Sequence, residues 1–344
     1  MIAGVAAGGY QGPPELTVAR AVTSWTLDLP VLTVVLAAGV LYLAGARRAR
    51  RSGSWPAVRA AAFCGGGLGL VAVATMGFPG VYYGVLFYAR AVQTILLLLA
   101  APLFLALGRP LSLLAAAAPG AGRRMQAVVG SRAARVLTFP AVTTLVLVIV
   151  PFLLYFTSWY VAGFHSSLVR ELTCLALLAP GWVFFWTLLR VDPVPKAYPY
   201  LVSLWVTGTE VVGDAILGLA IIADQHLIAG AYYRAVGRPW GPSLRTDQVL
   251  GGGVLWLLGD LIGLPFLAAM LIQMIREDES DAKVIDAELD AGEAAQAGAA
   301  AQAGAAAQAG EAAQAGAAPA AGEAARPWWE SDPRFASRFR PPGS

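Results

Sequence analysis

The chain has 344 residues, of which 58% are hydrophobic and only 13% are charged, and its formal net charge is +3. In soluble domains about a quarter of all residues are charged. This composition therefore excludes an ordinary soluble protein and indicates one that lies mainly within a lipid bilayer. No basic stripe with interleaved aromatic residues occurs in the sequence, so we predict no nucleic-acid partner.

Several stretches are long and apolar enough to cross a membrane as helices. A bilayer core of about 30 Å needs about 20 apolar helical residues. The stretches that meet this length lie at roughly 28–46, 58–79, 84–107, 136–158, 166–189, 198–222 and 249–275. The predicted fold class is therefore all-α, a polytopic membrane helix bundle of about seven transmembrane helices within residues 28–275.

The orientation follows from the charges in the loops. Residues 1–27 lack a basic start followed by an apolar run, so we predict a short external tail rather than a signal peptide. The loops after the first, third and fifth predicted helices are rich in arginine, and the opposite loops are poorer. Because lysine and arginine are enriched in cytoplasmic loops, the N-terminus is predicted outside and the C-terminus in the cytoplasm.

Residues 276–344 have a different composition. A charged segment at 276–290 is followed over 291–326 by a repeated six-residue unit, AAQAGA. Alanine favours a helix, but a glycine in every unit opposes it at about 1 kcal/mol each. Without an apolar face, this region is predicted to be a low-complexity, mostly disordered cytoplasmic tail. Its aromatic and basic end suits docking on an unknown protein or on the inner leaflet, or disorder without a partner.

Ionisable residues within the predicted helices are candidate functional residues, because a charge at membrane depth is costly. They are Arg90, Arg170, Glu171, Glu210, Asp214 and Asp260. With a rise of about 1.5 Å per residue, Arg90 lies about 9 Å and Asp214 about 12 Å below the outer helix ends. Arg170 lies near the same boundary. We therefore expect a salt-bridged cluster of Arg90, Arg170 and Asp214, which removes the cost of burying each charge alone.

The function of these charges stays open at this point. Glu210 is one turn deeper than Asp214 on the same helix face, where it extends the cluster or faces a wet cavity. Three interpretations remain for these charged residues. They form structural contacts between helices, they form a proton or cation path, or they are the remnant of a metal site. Asp247 and Gln248 open the seventh predicted helix, and Asp247 is expected to cap the exposed amides of that helix.

Other motifs point to packing rather than catalysis. The glycine triplets 65–67 and 251–253 lie within predicted helices and are interpreted as close-packing surfaces. No nucleophile–base pair, phosphate-binding loop or carboxylate dyad occurs, so we predict neither an enzyme nor a catalytic residue. Cys64 and Cys174 lack metal-ligand spacing and are interpreted as small apolar residues, with Cys174 a weak metal candidate.

Three segments carry a resemblance to a known family. AAPLFLALGRPL at 100–111, which follows Gln93, resembles the family pattern A-P-x-x-x-L-G-x-P-L. LLAPGWVFFWTLLRVDPVPK at 177–196 is similar to G-x-x-F-F-W-P-L-x-x-x-D-P-x-P. The segment 231–261 is similar to a pattern ending in D-Q-x-x-G-G-x-x-x-W-x-x-G-[DE]. On these motifs the chain resembles the CtaG family of membrane proteins that assist cytochrome c oxidase assembly, in particular its actinobacterial branch.

The resemblance implies copper supply to the oxidase through family histidines. The positions of these histidines hold Arg90, Thr94, Arg170, Cys174 and Asp214 in this chain. A guanidinium has no lone pair to donate, whereas imidazole and thiolate suit copper. The chain is therefore a divergent member in which a metal site has become a polar core, and copper is a cofactor by resemblance only.

The resemblance implies a bacterial cell-membrane protein that assists oxidase assembly, with oxidase subunits and the lipid bilayer as partners. On this interpretation, the chain works without histidine-based copper binding. A membrane scaffold acting through its tail is an alternative function. A small cation- or proton-coupled transporter that uses the intramembrane charges is a third.

Overall fold

The computed structural model describes residues 10–196, 198 and 200–314. Within these residues all regular structure is helical. In chain order the helices are Val18–Thr23, Leu29–Ser52, Ala57–Ala60, Ala61–Leu68, Gly69–Met76, Phe78–Tyr82, Phe87–Ile95, Leu96–Ala100, Ala101–Leu107, Pro110–Ala117, Pro119–Val129, Arg132–Leu137, Pro140–Phe156, Trp159–His165, Ser167–Leu189, Tyr200–Ala223, Gly230–Val236 and Leu244–Gln314. The chain divides into one compact unit that ends at Arg276 and a second that begins at Glu277.

The helices of the first unit include six segments long and apolar enough to cross a membrane, and a seventh when a pair bent by 68° counts as one. We name them by chain order. Span 1 is Leu29–Arg51, span 2 Ala57–Tyr82, span 3 Phe87–Ala117, span 4 the bent pair Pro140–Phe156 and Trp159–His165, span 5 Ser167–Leu189, span 6 Leu201–Ala223 and span 7 Leu244–Ala268. The prediction of an all-α polytopic bundle is confirmed.

Prolines and short π-helical segments determine the local shape of the helices. Pro30, Pro110 and Pro140 lie in the first turn of their helices, where the missing N–H needs no helical acceptor. Ala61–Leu68 in span 2 and Leu96–Ala100 in span 3 have the wider π-helical winding. Such local widening interrupts the regular side-chain register of an α-helix.

Span 3 is the central helix of the bundle. Inside the structure 72% of its apolar window is buried, compared with 17% for span 1. Phe87, Leu98 and Leu99 belong to the main apolar core, and span 5 packs along the middle of span 3. Side chains of span 3 are therefore surrounded by other helices, whereas span 1 presents most of its surface to lipid.

The glycine-rich segments are close-packing surfaces. A Cβ on Gly66 would lie 2.5 Å from the Phe104 ring, and one on Gly218 would lie 2.6 Å from the Gly252 carbonyl oxygen. Only a residue without a side chain allows backbones to approach this closely. The packing prediction is confirmed at these positions, whereas Gly65 and Gly253 have open space beside them.

The described residues before span 1 pack on the bundle. The Tyr82 hydroxyl donates to the Pro14 carbonyl at 2.9 Å, and Tyr10 meets Trp240 edge-on. The Thr26 amide donates to the Met76 carbonyl at 2.7 Å. The predicted tail 1–27 is thus fixed to span 2 and to the segment before span 7 from Tyr10 onward, and its first nine residues lie outside the described part.

The structure differs from the sequence-based interpretation of the C-terminal tail. Described residues of the second unit are helical as far as Gln314. The repeat contains four alanines for each glycine, and alanine has the highest helix propensity of any residue. The aromatic and basic end of the tail, predicted to dock on a partner, lies outside the described residues.

Candidate functional site

A cavity of about 460 Å³ opens at the end of the bundle where spans 1, 3 and 5 begin. Its polar lining consists of Thr26, Asp28, Thr75, Tyr83, Gln93, Arg170 and Cys174. We call it the Arg170 cavity. Its volume falls in the range of small-molecule sites, and Arg170 and Cys174, two of the residues predicted to stand at family histidine positions, lie in its wall.

Arg170 is held by two carboxylates at the mouth of this cavity. Its Nη2 lies 3.0 Å from Asp28 Oδ2 and 3.0 Å from Glu171 Oε1. Asp28 also accepts the Val31 amide of span 1 at 3.4 Å, so one carboxylate caps span 1 and ties it to span 5. Sequence analysis missed Asp28, although an aspartate immediately before a Leu-Pro helix start is a recognisable N-cap signal.

Arg90 is fully enclosed in the bundle, with 2% of its surface exposed. Its Nη1 donates to Gln93 Oε1 at 2.7 Å, and the Gln93 amide donates to the Ala74 carbonyl at 2.9 Å. The guanidinium also lies over the rings of Tyr83 and Tyr160, 5.6 and 6.0 Å from their centroids. An amide oxygen and two aromatic faces thus stabilise this cation.

Hydroxyl groups continue the polar lining next to Arg90. The Thr94 hydroxyl donates to the Arg90 carbonyl at 3.0 Å and lies 3.0 Å from the Tyr155 hydroxyl. The Tyr160 and Tyr233 hydroxyls are 2.7 Å apart. Burial raises the pKa of Tyr233, which lies between spans 6 and 7, so this contact is one between neutral hydroxyls. None of these groups supplies a negative charge to Arg90.

The intramembrane carboxyls form a separate group between spans 6 and 7. Glu210 and Asp214 are 2% and 4% exposed. A Cβ on Gly259 of span 7 would lie 2.5 Å from Asp214 Oδ2, so the Asp214 carboxyl rests directly on that glycine. Asp260 directly follows Gly259, and its Oδ1, like Glu210 Oε1 and Asp214 Oδ2, is buried without a hydrogen-bond partner among the described residues. We call Glu210, Asp214 and Asp260 the carboxyl cluster.

The predicted salt-bridged cluster of Arg90, Arg170 and Asp214 is therefore wrong. Among the described residues, the ion pairs of Arg170 are with Asp28 and Glu171, and no ion pair involves Arg90 or Asp214. Depth along a helix can be estimated from the sequence, but the direction in which each side chain points cannot. Asp214 faces span 7, whereas Arg90 faces the tyrosines.

Most of the chain matches a known protein family. The model of the family described as cytochrome c oxidase caa3 assembly factor, Caa3_CtaG, matches residues 40–277, which include the seven spans apart from the first turns of span 1. The chain belongs to the CtaG family. No solved structure matches the chain.

Relatives of this CtaG protein occur in mycobacteria. The chain is 29% identical over 294 residues to the uncharacterized protein Mb0105 of Mycobacterium bovis, and equally to the uncharacterized protein MT0111 of Mycobacterium tuberculosis. It is 27% identical over 292 residues to the uncharacterized protein ML1998 of Mycobacterium leprae. These matches cover 82% of this chain but only 44% of each relative. The chain thus spans less than half the length of these relatives.

The CtaG motifs that carry the resemblance are joined by a carboxylate in the loop after span 5. Asp192 accepts the amides of Leu111 and Ser112 at 3.0 and 2.8 Å. These amides open the helix Pro110–Ala117, whose first N–H groups have no partner within the helix. Asp192 thereby links the motif at 100–111 to the motif at 177–196, and sequence analysis did not identify it as a functional or structural residue.

Asp247 has the equivalent role at the opposite end of span 3. It accepts the amides of Phe87 and Tyr88 at 3.0 and 3.1 Å, and Arg238 Nη2 lies 3.3 Å from its Oδ2. The prediction that Asp247 caps its own helix is wrong. Its side chain reaches span 3, and the Ser243 hydroxyl accepts the Thr246 amide at the start of span 7 instead.

Gln248 fixes the connection between spans 6 and 7. Its Oε1 accepts the Ile228 amide at 2.8 Å, and its Nε2 donates to the carbonyls of Ile221 and His226 at 3.2 and 3.1 Å. Every one of these partners is a backbone group. The D-Q pair of the CtaG motif therefore holds helices and loops together, whereas the Arg170 cavity and the carboxyl cluster remain candidates for chemistry.

The residues at the family's histidine positions do not fit a histidine-type copper site. Arg90 and Arg170 have no lone pair to donate, and the Thr94 hydroxyl is engaged with Tyr155. Cys174 is the one good Cu(I) donor among these positions, and it shares the cavity wall with the Arg170 cation. Among the described residues, no group of three or more His, Cys, Asp or Glu side chains is arranged to hold a metal ion.

Proposed function

We propose that this chain is a bacterial cell-membrane assembly factor for cytochrome c oxidase that acts by holding a protein partner rather than by presenting copper on histidines. Membership of the CtaG family supports the assembly role. The observation that supports the second part is the Arg170 cavity, where Arg170, at a position predicted for a family histidine, forms ion pairs with Asp28 and Glu171. On this proposal the chain is not an enzyme.

We further infer that the N-terminus lies outside the cell and the C-terminus in the cytoplasm. Basic residues lie in the last turns of span 1 (Arg47, Arg48, Arg50 and Arg51), in the segment 118–139 after span 3, and after span 5 (Arg190 and Lys196). The contact of Asp192 with Leu111 and Ser112 supports their placement together at one end of the bundle. Such an end faces the cytoplasm in most membrane proteins, so the Arg170 cavity opens toward the outer side, where an oxidase subunit is the proposed partner.

Deletion of the gene tests the assembly role. We expect cytochrome c oxidase activity in membranes of the deletion strain to fall, because an unassisted oxidase subunit is not completed. The activity should return with the gene supplied in trans, and not with added copper alone. Unchanged oxidase activity would contradict the assembly role, and full rescue by copper alone would restore the copper-supply interpretation.

Complementation of the deletion strain with variants tests whether the assembly role depends on the Arg170 cavity. Arg170→Gln should rescue oxidase activity poorly, because it breaks both ion pairs at the cavity mouth. Arg234→Gln is the matched control, since Arg234 is an exposed arginine in the segment between spans 6 and 7. Membrane levels of each protein are measured in parallel. Equal rescue by the two variants at equal levels would contradict a cavity-based function.

Copper binding is tested on the purified full chain. We expect less than stoichiometric copper after incubation with Cu(I) and desalting, because a single thiol beside a cation is a poor site. Elemental analysis gives the copper-to-protein ratio, and Cys64→Ser is the control for Cys174→Ser. Stoichiometric copper that disappears in Cys174→Ser but not in Cys64→Ser would overturn the proposal.

A further inference from the structure

Among the described residues, no cation forms an ion pair with the carboxyl cluster. Span 6 contributes Glu210 and Asp214, and span 7 contributes Asp260. Span 4 packs against span 6 and has no charged residue in its long segment Pro140–Phe156. The other charged residues of span 7, Arg245 and Asp247, lie at its far end and are bound to backbone groups there. Ionised carboxylates in such surroundings are expensive.

Two of the carboxyls lie one turn apart on the same face of span 6. Residues four apart on a helix are neighbours, and Glu210 and Asp214 are both almost fully buried. Two ionised carboxylates at this spacing repel each other, whereas a protonated carboxyl is neutral and can donate a hydrogen bond. The arrangement is therefore favourable only when the pair holds at least one proton.

The cluster also contains oxygen atoms that are able to bind a proton. Glu210 Oε1, Asp214 Oδ2 and Asp260 Oδ1 are buried and have no hydrogen-bond partner among the described residues. Glu210 and Asp214 are themselves more than nine-tenths buried. Buried polar atoms are nearly always paired, so unpaired oxygens that converge from two helices indicate a bound small cation, of which the proton is the smallest.

A line of polar side chains leads to the cluster along one face of span 6. Ser203, Thr207, Glu210 and Asp214 follow each other at helical spacing and are 5%, 0%, 2% and 4% exposed. They cover roughly 16 Å of the helix axis. At the beginning of span 6, the Ser203 hydroxyl accepts from Arg190 Nη2 at 3.1 Å, which joins the line to the loop after span 5.

The same face is apolar beyond Asp214. Leu217 and Ile221 are 1% and 0% exposed, and the backbones of Gly218 and Gly252 meet there. No polar side chain of span 6 continues the line toward Ala223 within the described residues. The polar line is therefore open toward one end of the bundle only, the end at which span 6 begins.

We propose that the carboxyl cluster is a proton-binding site that exchanges its proton, along Thr207 and Ser203, with the side of the membrane at which span 6 begins. The ligand is a proton, and the hydroxyls relay it between the carboxyls and water. This site is distinct from the Arg170 cavity, and it does not depend on the proposed assembly role.

Infrared spectroscopy of the full chain in liposomes tests the site. We expect a carboxylic-acid C=O band at neutral pH that shifts in D2O and is lost or reduced in Glu210→Gln, a change that keeps the side-chain volume. Absence of such a band in the unmodified protein would overturn the proposal. A band that disappears when sodium is added at constant pH would also overturn it, because the site would then take a metal cation.

The relay is tested by the rate at which that band shifts after transfer to D2O. Thr207→Val should slow the shift without removing the band, because valine has the shape of threonine but no hydroxyl. Thr209→Val is the matched control. Both hydroxyls donate to the carbonyl four residues earlier, at 2.9 and 2.8 Å, but Thr209 is exposed on the lipid-facing side. Equal rates in the two variants would overturn the relay along this face.

Discussion

Replacing Asp247 by alanine is expected to lower the free energy of unfolding by about 3–5 kcal/mol, the cost of breaking a buried ion pair from one side. The change leaves Arg238, whose side chain is 3% exposed, without its carboxylate. It also removes the acceptor for the amides of Phe87 and Tyr88 at the start of span 3. Unfolding in detergent, followed with a thiol-reactive fluorophore at the two free cysteines, measures the loss.

Two further variants separate charge from hydrogen bonding at this position. Asp247→Asn keeps one acceptor oxygen and should fall between the unmodified protein and Asp247→Ala. Asp224→Ala is the matched control. Among the described residues, the Asp224 carboxylate accepts the His226 amide and lies 3.3 Å from the His226 ring nitrogen, and its side chain is 28% exposed. A loss at Asp247 no larger than that at Asp224 would show that the contact with span 3 contributes little.

Gly181→Ala is the second substitution with a large expected effect, about 3 kcal/mol, at the upper end of typical overpacking costs. A Cβ at this position would overlap the carbonyl oxygen of Leu98 and lie 2.7 Å from Pro102 Cγ. Neither atom belongs to a flexible side chain, so the whole contact between spans 3 and 5 must widen. Thermal unfolding in detergent and the yield of monodisperse protein report the effect.

Gly208→Ala in span 6 is the control for this steric argument. No atom lies within 4 Å of the Cβ that the substitution adds, and alanine is the better helix former by about 1 kcal/mol. We therefore expect an unchanged or slightly raised unfolding temperature. A similar loss in both variants would mean that the close approach at Gly181 is not the cause.

Much of the architecture was accessible from the sequence because the bilayer imposes a length on each helix. The positions of the spans follow from counting apolar residues, and each predicted stretch overlaps one span. The packing role of Gly66 and Gly252 also followed from local composition, since small residues mark close helix contacts. These features depend on neighbours in the chain rather than on distant partners.

The hydrogen-bond and ion-pair partners of the polar residues could not be predicted from the sequence in this way. Arg90 and Asp214 were predicted to lie at compatible depths, but the sequence does not specify how each helix is rotated about its axis, so the pairing was wrong. Asp28 was overlooked because it is the first residue of the first apolar stretch, outside the helix interiors that were searched for charges, although it binds Arg170 at 3.0 Å. Asp192 bonds amides that are about eighty residues earlier in the chain, a relation that no local pattern reveals.

The two carboxylates that bind the ends of span 3 have a consequence for biogenesis. The amides of Phe87 and Tyr88 have no acceptor until Asp247, about 160 residues later in the chain, has been synthesised. The amides of Leu111 and Ser112 have none until Asp192 has been synthesised. During synthesis the central helix therefore enters the bilayer before either pair of amides has its carboxylate. Its contact with Asp247 forms only after span 7 has been made, so nascent chains that stop before span 7 should be substrates for membrane quality-control proteases.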